Sequence, residues 1–435
     1  MNEKENIALT LPIEVLRMVK EHFIKEKKGD PTARSRAAQD LKKFLIETAD
    51  GSYTLNSGEI DGSSETMHTH HGAVEESIKK YIEPSHLKDK IICKDEVRIL
   101  DTCSGLGYNA AVALDLWQSI QNNNCKLNLD LVEISRETLA ITLLIPSPLI
   151  AHEIIKKAVE DELYNEGFLS LKLEKEETPK NVDINIYCGD ARDLIKNSIE
   201  SKLAKPDELK SKINEDNDDG IYDIIFLDPF SPLLAPELYT PDFFKALKQI
   251  IKKDGLILTY TSAAPVRSAF IEAGFNVGEG PTFGRKRGGT IACISPELIN
   301  KDLLKDDERM IALSDAGTPF RDPDLNDSSQ SIKLRRINER KEVRGKEKFA
   351  STVKTPIYLL EDMEDGRLKR RVLKNLHKMG FEDLKSPKSM YVVCPQYPEC
   401  ICGRGCESFN NSSERVNEMS HRLHQIIKKE KIILM

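Results

Sequence analysis

Five short apolar runs, each ending in small, polar or acidic residues, constrain this chain more than any other feature. They occupy 97–100, 127–132, 184–187, 224–227 and 256–260, and stretches with helical spacing separate them. Continuous apolar runs mark strands buried on both faces, so the pattern predicts an open parallel sheet covered by helices over 96–298. The stretch 242–253 reads as one covering helix, with Phe243, Phe244, Leu247, Ile250 and Ile251 on one face. The segments 275–277 and 289–294 read as a terminal strand pair.

Outside that region the character changes. Residues 1–50 read as a helical N-terminal extension, with one stripe at Leu11, Val15, Met18 and Phe23 and a second at Ala37, Leu41, Phe44 and Leu45, broken by Pro31. Residues 51–298 then form the α/β domain. Within it, 156–181 and 196–220 are too charged for a core and are expected at the surface. The segment 299–350 reads as a charged linker or helix. Its portion 331–350 carries eight basic and three acidic residues, which suits a solvated helix face or an RNA contact. Residues 351–435 form a C-terminal region containing four clustered cysteines.

A length of 435 residues allows two or three domains. With 64 Lys+Arg against 71 Asp+Glu the net charge is -7, which excludes a generally polybasic nucleic-acid binder but not a local basic patch. No run approaches the roughly 18 apolar residues of a membrane span, and the first six residues lack the order of a secretory signal. A reducing cytoplasm is expected, with Cys93, Cys103, Cys125, Cys188 and Cys293 as small buried hydrophobes.

The first run leads through Asp101 into Cys103-Ser104-Gly105-Leu106-Gly107-Tyr108-Asn109, a strand, a glycine turn and a helix start. Gly105 and Gly107 let the backbone pass close to a ligand, and the helix start offers free amides. No third glycine follows, which disfavours a dinucleotide. Glu133 closes the second strand 28 residues after Gly105, where it can accept both ribose hydroxyls. Asp190, between Gly189 and Ala191, can accept from an adenine amino group. Asp228 ends the fourth strand. This ordered set of carboxylates at strand ends is the arrangement of a Rossmann-like class I methyltransferase using S-adenosylmethionine (SAM).

The sequence also resembles the MnmC-like methyltransferases over residues 50–295. The resemblance is carried by Phe226-Leu227-Asp228-Pro229-Phe230-Ser231-Pro232 with 236–244, by 259–267, by Ala273-Gly274-Phe275, and upstream by 50–55 and 70–76. It implies methylation of the aminomethyl group on the wobble uridine of tRNA. Cys103 stands where the family usually has a glycine, and the oxidase half of the bifunctional enzymes has no counterpart, so only methyl transfer is implied.

Amine methylation needs a free lone pair aligned with the donor methyl. Asp228 is the expected catalytic residue, orienting the amine and accepting its proton. Phe230 follows it as in the D/N-P-P-Y turn of exocyclic-amine methyltransferases, where an aromatic ring stacks the base, although a core role suits it equally. The loop 59–71 is expected to cover the methionine end of SAM through Tyr53, Thr54, Glu59 or His71. Its histidines lack metal-ligand spacing.

Arg285, Lys286 and Arg287, flanked by Gly284 and Gly288, suit tRNA phosphate or a solvated hairpin. Cys394, Cys400, Cys402 and Cys406 could hold zinc or an iron–sulfur cluster, or be redox thiols, in a module that docks RNA or a partner. Two rival functions fit parts of the pattern. A polyamine aminopropyltransferase matches 222–228 but needs a second acid just after Asp228, where Pro229 stands. A non-catalytic RNA-binding protein would not require Asp101, Glu133, Asp190 and Asp228.

Overall fold

The computed structural model describes residues 11–59, 64–121, 124–203, 220–284, 287–396, 399–406 and 408–428. The chain forms two compact units, the first comprising Met1–Leu238, Gln249–Tyr260 and Gly280–Gly289, the second Tyr239–Lys248, Thr261–Glu279 and Thr290–Met435. Among the described residues no helix is long and apolar enough to cross a membrane.

In the first unit, helices Ile13–Lys27 and Ala33–Leu41 precede a small antiparallel hairpin of β1 (Ile46–Glu47) and β2 (Tyr53–Thr54). Five parallel strands follow: β3 (Glu96–Thr102), β4 (Lys126–Glu133), β5 (Val182–Cys188), β6 (Tyr222–Leu227) and β7 (Ile251–Thr259), in the spatial order β5-β4-β3-β6-β7. Each contains one of the five apolar runs, apart from the terminal Tyr260. Ile99, Leu129, Ile224, Ile225, Phe226 and Leu258 are all but inaccessible. The order reverses between β3 and β6, the topological switch point where α/β sheets bind ligands.

Two expectations change here. The helix expected over 242–253 ends at Lys248, and Ile251 begins β7. The Ile250 carbonyl accepts from the Ile221 and Tyr222 amides, and the β-branched pair Ile250-Ile251 suits a strand although it continues the helical apolar spacing. The charged stretch 156–181 begins inside helix Ile150–Asn165, and part of it is core: Glu160 is wholly buried. Arg34 makes a bidentate contact to Glu26 (2.9 and 3.0 Å) and reaches Glu160 at 2.5 Å, while Glu160 also accepts from the backbone amides of Leu173 and Glu174 (2.7 and 2.9 Å). The N-terminal helices are thereby clamped to the α/β layer by a buried, fully bonded ion triad.

The second unit holds the antiparallel pair β8 (Asn276–Glu279) and β9 (Thr290–Cys293), as the terminal pair predicted, with helices packed on an aromatic cluster. Phe244 stacks on Phe270 at 3.7 Å, and Phe270 meets Phe275 edge-on. Arg267, fully buried, is held by Glu279, Asp307 and Thr290. The basic run is absorbed largely within this unit. Helix Ser329–Val343 aims Arg336 at the carbonyls of Thr318 and Ala316 and over the Phe320 ring. Arg340 and Arg344 converge on buried Asp315, and Arg335 pairs with Asp327. Lys348 donates to the Ile311 carbonyl at 3.1 Å, so five of the eight cations serve internal contacts, which removes most of the basis for a second RNA surface there.

Candidate active site

A cavity opens at the C-terminal ends of β3, β4, β5 and β6, lined wholly by residues of the first unit. Its floor is the glycine turn. Cys103, Gly105 and Gly107 all take positive φ (64°, 53° and 80°), and Gly107 starts helix Tyr108–Ser119. A Cβ on Gly105 would come within 2.8 Å of Met67 Cε, and one on Gly107 within 3.0 Å of Ile155, so both positions are tight as well as left-handed. Cys103 occupies the same region without being glycine, at a cost of roughly 1–2 kcal/mol.

The ends of β4, β5 and β6 each contribute a carboxylate to the wall. Glu133 accepts from the Gly105 amide at 3.2 Å and the Ser135 amide at 3.0 Å, and burial nevertheless pushes its carboxyl up to about 7. Asp190 accepts from the Arg192 amide, as a helix cap does, and is gripped by the Arg192 guanidinium at 2.7 Å. Asp228 receives the Tyr81 hydroxyl on Oδ1 at 2.5 Å and the Asn109 amide on Oδ2 at 3.0 Å. Ser77 fixes Asn109 by donating to its Oδ1 at 2.6 Å, which turns the amide nitrogen toward Asp228. Tyr81 sits on a π-helical turn, Ile78–Ile82, a local distortion frequent at functional sites. Burial raises the Asp228 carboxyl to about 7 against these two donors.

Asp101 lies beneath the cavity rather than on its wall. Its carboxylate is buried, with the Asn109 side chain as its neighbouring donor. Burial and then the nearby Asp228 charge push it up to about 8.

A strap over 65–69 closes one side. Thr66 bridges to Asn56, the Met67 amide bonds to the Leu55 carbonyl, and Glu65 accepts from the Ser231 amide at 3.0 Å, tying the strap to the turn after Asp228. His68 lies edge-on to Tyr108, and burial lowers its pKa, which keeps the ring neutral. Lys80 pairs with Glu76, which also accepts from the Thr69 amide. Among the described residues the wall presents six carboxylates, Glu65, Glu76, Glu133, Asp190, Asp228 and Glu237, and no Lys or Arg. Such a wall favours a cationic ligand.

The comparisons agree with this geometry. A family profile described as S-adenosyl-L-methionine-dependent methyltransferase matches residues 151–295. An uncharacterised protein of Methanocaldococcus jannaschii is 34% identical over 362 residues, covering 82% of this chain and 88% of that one. The tRNA 5-methylaminomethyl-2-thiouridine biosynthesis bifunctional protein MnmC of Ralstonia nicotianae is 46% identical over 70 residues, 16% of this chain and 11% of that protein. The crystal structure of MnmC2 from Aquifex aeolicus matches with a TM-score of 0.51 and 26% identity, covering 76% of this chain and 99% of that one. The chain belongs to the MnmC-like SAM-dependent methyltransferases.

For an MnmC-like methyltransferase the residues present fit SAM. The Ser104 hydroxyl lines the cavity, buried and without a hydrogen-bond partner, and the acid wall complements a cationic sulfonium. Of the residues expected from sequence, Gly105, Asn109, Glu133, Asp190, Ala191, Asp228 and Phe230 come together on the wall. Tyr53, Glu59, His71, Asp101 and Gly107 do not line it. Tyr53 instead gives its amide to the Tyr108 hydroxyl, Glu59 is exposed, and exposed His71 packs on Phe283. The strap itself does line the cavity, through 65–69 rather than through Glu59 or His71. Sequence reasoning missed Leu11, Met67, His68, Glu76, Tyr81, Tyr108, Glu237 and Tyr260. Glu76 and Lys80, four apart on a helical stretch, were the one local signal available.

Arg285 and Lys286 lie outside the described residues, and Arg287 is exposed. Of the described neighbours, Gly280 donates to the Gly289 carbonyl, and a Cβ on Gly284 would stand 3.3 Å from His71 and 3.4 Å from Thr69.

Proposed function

We propose that this enzyme methylates the aminomethyl nitrogen of wobble uridine in tRNA. Bound SAM supplies an electrophilic methyl group on a cationic sulfur. Asp228, oriented by Tyr81 and Asn109, is the observation that carries the reading: a carboxyl raised to about 7 on the cavity wall can hold the acceptor amine and take its proton near neutral pH. Glu133 would hold the ribose hydroxyls, Asp190 and Ala191 would flank the adenine, and the turn at Gly105 and Gly107 would carry the methionine end. Phe230, partly exposed on the wall, offers a face on which the uracil can stack. The acid wall repels phosphate, so the tRNA backbone must be held elsewhere, and the run Arg285-Lys286-Arg287 supplies three adjacent cations that suit it. The name of the Ralstonia relative, a tRNA 5-methylaminomethyl-2-thiouridine biosynthesis protein, supports this acceptor.

The acid wall also suits a free diamine, the acceptor of the aminopropyltransferases. Incubation with methyl-labelled SAM, tRNA carrying aminomethyluridine and a free diamine separates the readings. Label is expected in tRNA; label confined to the diamine would overturn the proposal.

A further inference from the structure

The second unit contains a site that methyl transfer does not use. Cys394 leaves helix Pro387–Val393, and Cys400, Cys402 and Cys406 follow on a segment without regular structure. Their four Sγ atoms all lie within 4.8 Å of one another. Consecutive separations are 3.8 Å for Cys394–Cys400, 3.6 Å for Cys400–Cys402 and 3.3 Å for Cys402–Cys406. All four are free thiols, so the convergence is not that of two disulfides. A zinc–sulfur bond of about 2.3 Å places the corners of a tetrahedron about 3.8 Å apart, close to these separations. An iron–sulfur cubane would put each thiolate on a different corner iron and hold the sulfurs further apart. We propose that Cys394, Cys400, Cys402 and Cys406 bind one zinc ion in a closed, structural tetrahedral site.

Two further features support it. Within 399–406 no residue is buried, so this segment has no apolar core of its own to offset the entropy of ordering it. A metal crosslink supplies that constraint. The surroundings also suit a dianionic zinc tetrathiolate. Arg422 of helix Ser412–Ile427 places Nη2 3.3 Å from Cys406 Sγ while Nη1 donates to the Tyr391 carbonyl at 2.9 Å. Arg422 and Arg404 each stand 4.6 Å from the Tyr391 ring centroid. This outer layer fixes one ligand and contributes positive charge beside the thiolates. Gly403 and Gly405, both at positive φ (76° and 63°), reverse the backbone between Cys402 and Cys406. On binding, each thiol still protonated gives its proton to solvent, and nothing is oxidised or reduced. With four protein ligands no position stays open for water or substrate, so the ion pins 394–406 to the helices on either side and takes no part in chemistry.

The test uses the full chain purified under reducing conditions, with zinc measured by plasma mass spectrometry. One zinc per chain is expected, falling at least tenfold in Cys400→Ser/Cys402→Ser and unchanged in Cys93→Ser. Should the double variant fail to fold, the wild type decides alone: cobalt exchanged for zinc should give the intense visible bands of a tetrahedral tetrathiolate. Wild-type protein that takes up neither zinc nor cobalt, that carries iron with acid-labile sulfide, or that shows a disulfide among these four cysteines would overturn the assignment.

Discussion

Asp228→Asn keeps the shape of the side chain and removes its charge. Ser77 locks Asn109 with its amide nitrogen toward position 228, so the new amide must offer oxygen there and nitrogen to Tyr81, whose hydroxyl can rotate to accept. The structural cost is the exchange of charge-assisted for neutral bonds, about 1 kcal/mol. Loss of a positioned base costs more, about 10²- to 10⁴-fold in rate, or about 2.7–5.4 kcal/mol in the barrier. Rate and stability therefore separate the roles. The pH dependence adds a second test. Burial raises this carboxyl to about 7, so it is protonated and unable to accept a proton below that pH and becomes competent above it. In initial-rate assays at saturating SAM, where the titration of Glu133 no longer limits the rate, wild-type kcat/KM for aminomethyl-bearing tRNA should rise through about pH 7. The variant should be slow and lack that limb. A variant with wild-type rates, or one that keeps the limb, would refute a proton-accepting role for Asp228.

Other outcomes follow from the same geometry. Glu133→Gln replaces a charged acceptor with a neutral one and should weaken SAM binding about tenfold to hundredfold by calorimetry. Because burial also raises Glu133 to about 7 and the ionised form is the stronger acceptor, wild-type SAM affinity should increase as pH rises through that value. Arg34→Met leaves Glu26 and Glu160 buried without their shared cation and should cost about 3–5 kcal/mol in urea unfolding; a loss below about 1 kcal/mol would show that the triad is dispensable. Replacing Arg285, Lys286 and Arg287 together by Ala should weaken tRNA binding and lower its salt dependence by about two to three units of slope, with SAM affinity unchanged. Equal loss of both would contradict a phosphate-binding role.

The sheet was legible because strands buried on both faces are largely apolar, and all five runs became parallel strands, although edge strand β5 is exposed at Asp183, Asn185 and Tyr187. The carboxylates were legible because sheet topology places strand ends together. What the sequence hid depends on distant partners. Asn109 and Tyr81 meet Asp228 across 119 and 147 residues, and no local spacing encodes that. Arg34 and Glu160 are 126 residues apart, so a charged stretch that reads as surface conceals a core ion triad. The run 331–350 reads as a solvated helix face or an RNA contact because Asp315 and the carbonyls of Ala316 and Thr318, which receive its arginines, precede it in a segment that gives no sign of being an acceptor. Ile250 and Ile251 satisfy helical and strand spacing alike, and only pairing with β6 decided between them.

Nucleoside mass analysis of tRNA after incubation with labelled SAM tests the central claim most directly. The enzyme should add one methyl group to the aminomethyl nitrogen of wobble uridine, and tRNA lacking that amine should stay unlabelled. A methyl group on a ring atom, on ribose or on another nucleoside, or no transfer to aminomethyl-bearing tRNA, would contradict the account.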